Sequence, residues 1–199
     1  CTLNIKKQPM GEYQTNCYIV TIQNKDFIID PGVGATSWVK QNVTNPIAIL
    51  NTHGHFDHIW SVKEIKKDLN LKVYCPVDDI FMFHKDPFGQ GTPTCEVDTP
   101  IEPDKQILLE DIKITFHHFP GHTPGCSAIE IEGALFTGDF IFRNSIGRVD
   151  FPYSNPQDMI NSLKKVLKWN KDISIYPGHG ENTSLEQERN SLNNWLNYL

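Results

Sequence analysis

The chain has 199 residues, enough for one domain with a sizeable core and short for two. Hydrophobic content of 39% with 21% charged residues is that of an ordinary globular protein. No apolar run approaches the roughly 18 residues a membrane-spanning helix needs, and a net charge of −6 argues against capture of nucleic acid or of an anionic lipid surface. The five cysteines (Cys1, Cys17, Cys75, Cys95, Cys126) are odd in number and include no C-x-x-C pair, which suits a reducing cytoplasm better than a disulfide framework. Residues 1–10 alternate apolar and polar side chains and carry no apolar signal-peptide core.

In chain order, residues 3–6 read as a short strand, and 16–22 with 26–29 as a hairpin pair joined at Gln23-Asn24-Lys25. Asp30-Pro31-Gly32 ends the second strand with a turn, because Pro fixes φ and Gly accepts positive φ. Asp30 has two readings, turn chemistry alone or a brace for the loop that follows. Residues 38–43 form a short helix stopped before Pro46, and the β-branched run 47–50 a buried strand. Helical periodicity then runs from Ile59 to Leu69, followed by a strand at 71–74 and a helix at 76–84. Residues 85–103, with four prolines and two glycines, are expected to form a functional or lid-like loop. His84 at its edge reads as a surface residue.

Two apolar runs, 106–109 and 112–116, lead into Phe116-His117-His118-Phe119-Pro120-Gly121-His122-Thr123-Pro124-Gly125. Strands 126–131 and 134–136, separated by Glu132-Gly133, end in Thr137-Gly138-Asp139. Asn155-Pro156-Gln157-Asp158 is a helix start with Asn as cap, Pro at the first position and an acid in the first turn. Its apolar face is Met159, Ile160, Leu163, Val166 and Leu167. A last strand, 173–175, runs into Tyr176-Pro177-Gly178-His179-Gly180. Thr183-x-x-Glu186 offers a capping box for a final helix over 184–195.

The chemistry concentrates after strand 47–50, in His53-Gly54-His55-Phe56-Asp57-His58, where four potential metal ligands fall within six residues. In an extended segment residues two apart point the same way, so His53 and His55 reach one ion together, while Asp57 and His58 follow a turn and face a second. Imidazole and carboxylate suit zinc, iron or manganese. His122, Asp139 and His179 follow other strands in the same manner. Seven candidates exceed one closed tetrahedral zinc, and none is a cysteine, which argues against a structural site. Two ions about 3.5–4 Å apart, sharing a carboxylate, would use all seven.

His-x-His-x-Asp-His, then Pro-Gly-His-Thr-Pro-Gly, Gly-Asp and Pro-Gly-His-Gly, in this order, resemble the motifs of the metallo-β-lactamase-fold hydrolases. The resemblance runs from Asn16-Cys17-Tyr18 through His179. It implies an α/β (α+β) fold, a four-layer αββα sandwich, with His53, His55 and His122 on a first metal, Asp57, His58 and His179 on a second, and Asp139 bridging them. Zinc is the expected metal, with iron and manganese compatible. Gly138-Asp139-Phe140-Ile141-Phe142 and the stretch Ser145 to Pro152 resemble short, single-domain glyoxalase II-like (hydroxyacylglutathione hydrolase-like) proteins. Full-length glyoxalase II enzymes carry a further C-terminal helical domain that holds glutathione. Here residues 1–199 are expected as one metallo-hydrolase domain without it.

What the resemblance implies is a cytoplasmic thioesterase acting on S-acyl glutathione-like small molecules, with no nucleic-acid or membrane partner. Asp57 and Asp139 are the candidate catalytic groups, orienting the attacking hydroxide between the ions. Phe142, Arg143 and Arg148 are candidate substrate contacts, although Arg148 with Asp150 also reads as a structural ion pair. Cys126, close after His122, reads as a core thiol rather than a nucleophile, and His118 as a support for the loop. Alternatives on the same fold are a persulfide dioxygenase, with one iron on His53, His122 and Asp139, and a lactonase. A β-lactamase is disfavoured by Asp at 139, where those zinc enzymes usually carry a cysteine. A nuclease is disfavoured by the acidic charge.

Overall fold

The β-branched and aromatic runs of the first half of the chain form a six-stranded sheet in a computed structural model that describes residues 3–199. Cys1 lies outside the described residues. The strands are β1 (Asn4–Met10), β2 (Thr15–Ile22), β3 (Lys25–Ile29), β4 (Pro46–Leu50), β5 (Lys72–Pro76) and β6 (Thr99–Ile101), hydrogen-bonded in that order. β1 to β3 pair antiparallel through tight turns, whereas β3–β4, β4–β5 and β5–β6 are parallel. Parallel pairs need crossovers, which carry the helices α1 (Ala35–Asn42), α2 (Phe56–Ile59), α3 (Val62–Leu69) and α4 (Phe81–His84). Ala35, Val39, Val62 and Ile65 of α1 and α3 are buried with Cys17, Ile19, Ile28, Ile49 and Val73 of the sheet. Each such Val or Ile contributes about 1.5–3 kcal/mol on burial. This layer holds the strand ends level: Ile29 pairs with Leu50, and Leu50 with Tyr74. Asp30 and Asn51 therefore leave the sheet side by side at its carboxyl edge, where loops of parallel sheets carry function.

The chain divides at Glu102–Pro103 into two compact units. The second has its own six-stranded sheet, built from β7 (Lys105–Leu109), β8 (Ile112–His118), β9 (Ser127–Ile131), β10 (Ala134–Gly138), β13 (Ser174–Pro177) and β14 (Thr183–Ser184) in the order β14-β13-β10-β9-β8-β7. A small separate hairpin joins β11 (Ile141–Phe142) to β12 (Ser145–Ile146). Helices α5 (Pro156–Leu167) and α6 (Leu185–Tyr198) pack on one another, burying Met159, Leu163, Val166, Leu185 and Leu192 in a core with Phe119, Leu135, Phe140 and Ile175. The parallel pair of this sheet, β10–β13, aligns Gly138 with Pro177 and so brings the residues after the two strands to one edge. Two sheets, each with its own helices, are the mixed α/β arrangement expected from the sequence. Among the described residues no helix is long and apolar enough to cross a membrane.

Four local expectations need correction. The periodic stretch 59–69 is two helices, because Ser61 leaves helical geometry: its amide donates to Pro31 O at 3.1 Å and its hydroxyl to Gly32 O at 2.6 Å. Residues 76–84 form a 3₁₀ turn, Val77–Asp79, and then the short α4. The proline-rich segment contains β6, which pairs along β5 with Pro100 at the sheet's edge, where a missing amide is tolerated. The final helix is capped by Ser184, whose hydroxyl accepts from Gln187 N, one residue later than expected. Thr183 is instead held by the buried Glu188, to which its hydroxyl donates at 2.6 Å. The Asn155 cap of α5 is as expected, accepting from Asp158 N at 3.0 Å.

Candidate metal centre

In the first unit the site is built on Asp30, which stands at φ +52°, a left-handed conformation uncommon outside glycine. That turn directs its carboxylate along the edge of the sheet. Oδ1 accepts from Thr52 N at 2.9 Å and from Asn51 Nδ2 at 3.3 Å, while Oδ2 accepts from Thr52 Oγ1 at 2.6 Å and His58 Nδ1 at 2.9 Å. Asp30, Thr52, His53 and His58 are all buried. The brace reading of Asp30 is the one its hydrogen bonds support.

These bonds fix the protons on the rings. A threonine hydroxyl has one hydrogen, and that of Thr52 goes to Asp30. Thr52 Oγ1, 2.9 Å from His53 Nδ1, therefore accepts from that nitrogen. His58 Nδ1 likewise donates to a carboxylate. Both imidazoles then present an Nε2 lone pair, the form in which histidine binds a metal. Asp30, His53 and His58 lie close enough to form a cluster of ligand type. His55 sits two residues on, its ring 5.1 Å from that of His53. Between them Gly54 donates to Asp79 Oδ2 at 3.0 Å, and a Cβ on Gly54 would stand 2.7 Å from Asp79 O, so only glycine fits. Asp57, at the start of α2, accepts from Thr15 Oγ1 at 2.8 Å, and the same oxygen lies 3.5 Å from His58 Nε2.

In the second unit His122 stands on the loop after β8. His118 Nε2 bridges the loop's base to Pro124 O at 2.9 Å, as a supporting role for His118 requires. His122 Nδ1 lies 2.8 Å from Arg148 O. A carbonyl only accepts, so the proton is on Nδ1 and the Nε2 lone pair again points away. Asp139 follows β10 and His179 follows β13, at neighbouring ends of the parallel pair. Asp139 Oδ2 lies 3.2 Å from His122 Nε2 and 3.4 Å from His179 Nε2. A neutral imidazole that turns its Nε2 lone pair toward a carboxylate oxygen at this distance is repelled by it, a repulsion that a bound cation, or a proton on Nε2, would relieve. The donor set of each unit thus fits a divalent cation, and the absence of thiolates favours a hard or borderline ion.

The β11–β12 hairpin places Gly147 against this group. A Cβ at Gly147 would fall 1.7 Å from Asp139 O, so the approach is possible only without a side chain. Phe142 meets His179 edge-on, with ring centroids 5.7 Å apart. Arg143 extends to Glu181 at 2.7 Å on the surface. Arg148 and Asp150 make a forked ion pair at 2.9 and 2.8 Å, both well exposed. That bond holds the Arg148 guanidinium above and the Asp150 carboxyl below their ordinary ranges. Of the three candidate substrate contacts, Phe142 borders a candidate ligand through its side chain and Arg148 through its carbonyl. Cys126 is fully buried, as a core thiol should be. His117 binds Glu130 at 2.8 Å, and half-exposed His84 faces Glu96.

Sequence reasoning missed Thr15 and Thr52, which touch the candidate ligands Asp57 and His53, Asp79, which holds Gly54 between His53 and His55, and Glu188, which accepts from Asn144 N at 2.8 Å and fixes the turn of the β11–β12 hairpin. Only Thr52, adjacent to His53, carried a local signal.

A family model described as the metallo-beta-lactamase superfamily matches residues 10–179. The hydroxyacylglutathione hydrolase GloC of Haemophilus influenzae is 34% identical, over 98% of this chain and 99% of that protein. Among solved structures, that of the BLEG-1 B3 metallo-beta-lactamase superposes with a TM-score of 0.86 at 28% identity, covering 94% of this chain and 97% of the other. TTHA1623 in a di-iron-bound form gives a TM-score of 0.81 at 30% identity, covering 94% and 98%.

Proposed function

We propose that this chain, which belongs to the metallo-β-lactamase superfamily, is a cytoplasmic metal-dependent hydrolase of small-molecule thioesters, of the hydroxyacylglutathione hydrolase kind. The observation that carries the reading is the arrangement of His122, Asp139 and His179: one carboxylate oxygen lies 3.2 and 3.4 Å from two imidazole nitrogens. The relative named for hydroxyacylglutathione hydrolysis, similar from end to end, supports the substrate class. His53, His55 and His122 would hold one divalent ion and Asp57, His58 and His179 a second, with Asp139 shared. Zinc suits the histidine-rich set, and the di-iron form of a neighbour makes iron the second choice.

Such ions, when bound, supply Lewis acidity that lowers the pKa of water to about 7 and polarises an acyl oxygen. The chain's own groups do the rest. Asp57 and Asp139, carboxylates that only accept when ionised, orient the attacking water, and Asp57 is the candidate acceptor of its proton. Thr15 donates to Asp57 Oδ2 at 2.8 Å and so sets the direction of that carboxylate. Asp30, through His58 and Thr52, keeps the rings in the tautomer that leaves Nε2 open. Phe142, edge-on to His179, is the candidate apolar contact for substrate. Arg143 and Arg148, with their guanidiniums paired to Glu181 and Asp150, are the weaker candidates for attracting a substrate carboxylate.

The test is hydrolysis of S-lactoylglutathione by zinc-reconstituted protein beside a His55→Ala control, followed through the thioester absorbance and the released thiol. Turnover that depends on His55 is expected. Absence of turnover at full metal load would reject the thioesterase. The likeness to a B3 metallo-beta-lactamase favours β-lactam ring opening as a second reading despite Asp139, and a chromogenic cephalosporin in the same assay decides between them.

A further inference from the structure

Three aromatic side chains of the first unit, none of them a candidate ligand, gather beside His55. Tyr13 lies in the turn between β1 and β2 and is 56% exposed, one of the few large apolar side chains so exposed. Its ring meets Phe56 edge-on at 5.6 Å. Phe56 faces Phe88 at 6.3 Å, and Phe88 meets the His55 imidazole edge-on at 5.1 Å. Phe56 and Phe88 are half-buried. Tyr13 and Phe88 come from separate turns, and each turn is pinned. Gln14 donates to Gly11 O from its amide and from its side chain, at 3.2 and 2.9 Å. The Asp86 carboxylate accepts from Gln90 N, Gly91 N and Thr92 Oγ1, closing the turn that carries Phe88. Rings held in this way lose little freedom when a ligand packs on them.

We propose that Tyr13, Phe56 and Phe88 form an apolar wall beside His55 that selects thioesters with a bulky apolar acyl group, an arylacyl group best of all. The proposal rests on the thioesterase reading and names its substrate class. The wall meets the acyl side and not the thiol side, because glutathione is a charged peptide with two carboxylates and an ammonium, and rings alone cannot match it. An aromatic acyl group would stack edge-on against Phe88 and Tyr13 in the geometry those rings already use with their neighbours.

The test separates recognition from turnover. Binding of S-benzylglutathione and S-methylglutathione, thioethers that cannot be hydrolysed, is measured by calorimetry on zinc-loaded wild type, Tyr13→Ala, Tyr13→Phe and Phe88→Leu. Zinc content and circular dichroism confirm that each variant is folded. Wild type is expected to prefer the benzyl ligand about tenfold. Tyr13→Ala and Phe88→Leu should lose most of that preference and Tyr13→Phe should keep it. In parallel, the ratio of kcat/KM for S-benzoylglutathione over S-acetylglutathione should fall about tenfold in the same two variants. Equal affinity of wild type for the two thioethers, or a preference unchanged in both variants, would overturn the wall. A benzyl preference that vanishes in the variants, with no thioester turned over by any form, would support the wall and reject the thioesterase reading instead.

Discussion

The Oδ2 atom of Asp30 accepts the Nδ1 proton of His58 at 2.9 Å, with both side chains almost wholly buried. The same oxygen takes the Thr52 hydroxyl, so one carboxylate decides the tautomers of two histidines. Asp30→Asn would turn an amide toward a donor that needs an acceptor. The expected result is a loss of about 3 kcal/mol in urea unfolding of the metal-free protein. Zinc affinity in a chelator competition should weaken by about 10–100-fold. Unchanged affinity would mean that the ligand rings are positioned by packing alone.

Thr15 tests the orientation of a single carboxylate. Its hydroxyl donates to Asp57 Oδ2 at 2.8 Å from a fully buried position on β2. Thr15→Val keeps the shape and removes the donor, so stability should fall by only about 1–2 kcal/mol. kcat should drop more than tenfold with KM little changed, and Thr15→Ser should restore most of it.

Gly147 is a steric prediction. Any side chain there would collide with the backbone oxygen of Asp139, at 1.7 Å from the new Cβ. Gly147→Ala must push the β11–β12 hairpin and Asp139 apart. We expect a loss of about 3–5 kcal/mol or failure to fold, with zinc content of any soluble fraction well below that of wild type. A normal melting temperature in Gly147→Ala would contradict the packing described.

Asp104 gives a pH-dependent prediction away from the candidate centre. Burial pushes its carboxyl up, but the Lys165 ammonium at 2.7 Å and the His118 amide more than offset this and hold it below the ordinary carboxylate range. Its folded value is therefore the lower one. Its contribution to stability is complete above an unfolded value of about 3.9 and is lost as pH falls through the folded value. The pair is half-exposed, so water and salt limit the effect to about 1 kcal/mol. Asp104→Asn should lower metal-free stability slightly at neutral pH and erase its margin to wild type in strong acid.

What the sequence disclosed follows the range of the interactions involved. The Asn155 cap and the strand edges carrying His53, Asp139 and His179 are short-range features, written in neighbouring residues. The break at Ser61 was hidden because the Pro31-Gly32 turn that captures it lies distant in sequence. The capping box at Thr183 was misplaced because the remote hairpin turn at Asn144 and the Thr183 hydroxyl share Glu188, which leaves Ser184 to cap the helix. The hairpin strands β11 and β12 are two residues each, too short for any periodicity. The seven candidate ligands were chosen on residue type and spacing, whereas Thr15 reaches Asp57 across 42 residues and Asp79 reaches Gly54, between His53 and His55, across 25, contacts that could be found only in three dimensions.

A metal titration read as activity bears most directly on whether the seven candidate ligands form a two-ion thioesterase site. Metal-free protein receives zinc in steps, and bound metal and S-lactoylglutathione hydrolysis are recorded on the same samples. A two-ion thioesterase site requires binding that saturates at about two ions per chain, hydrolysis that rises with occupancy, and loss of both in Asp139→Ala. Saturation at one ion, or full occupancy with no thioester hydrolysis, would contradict it.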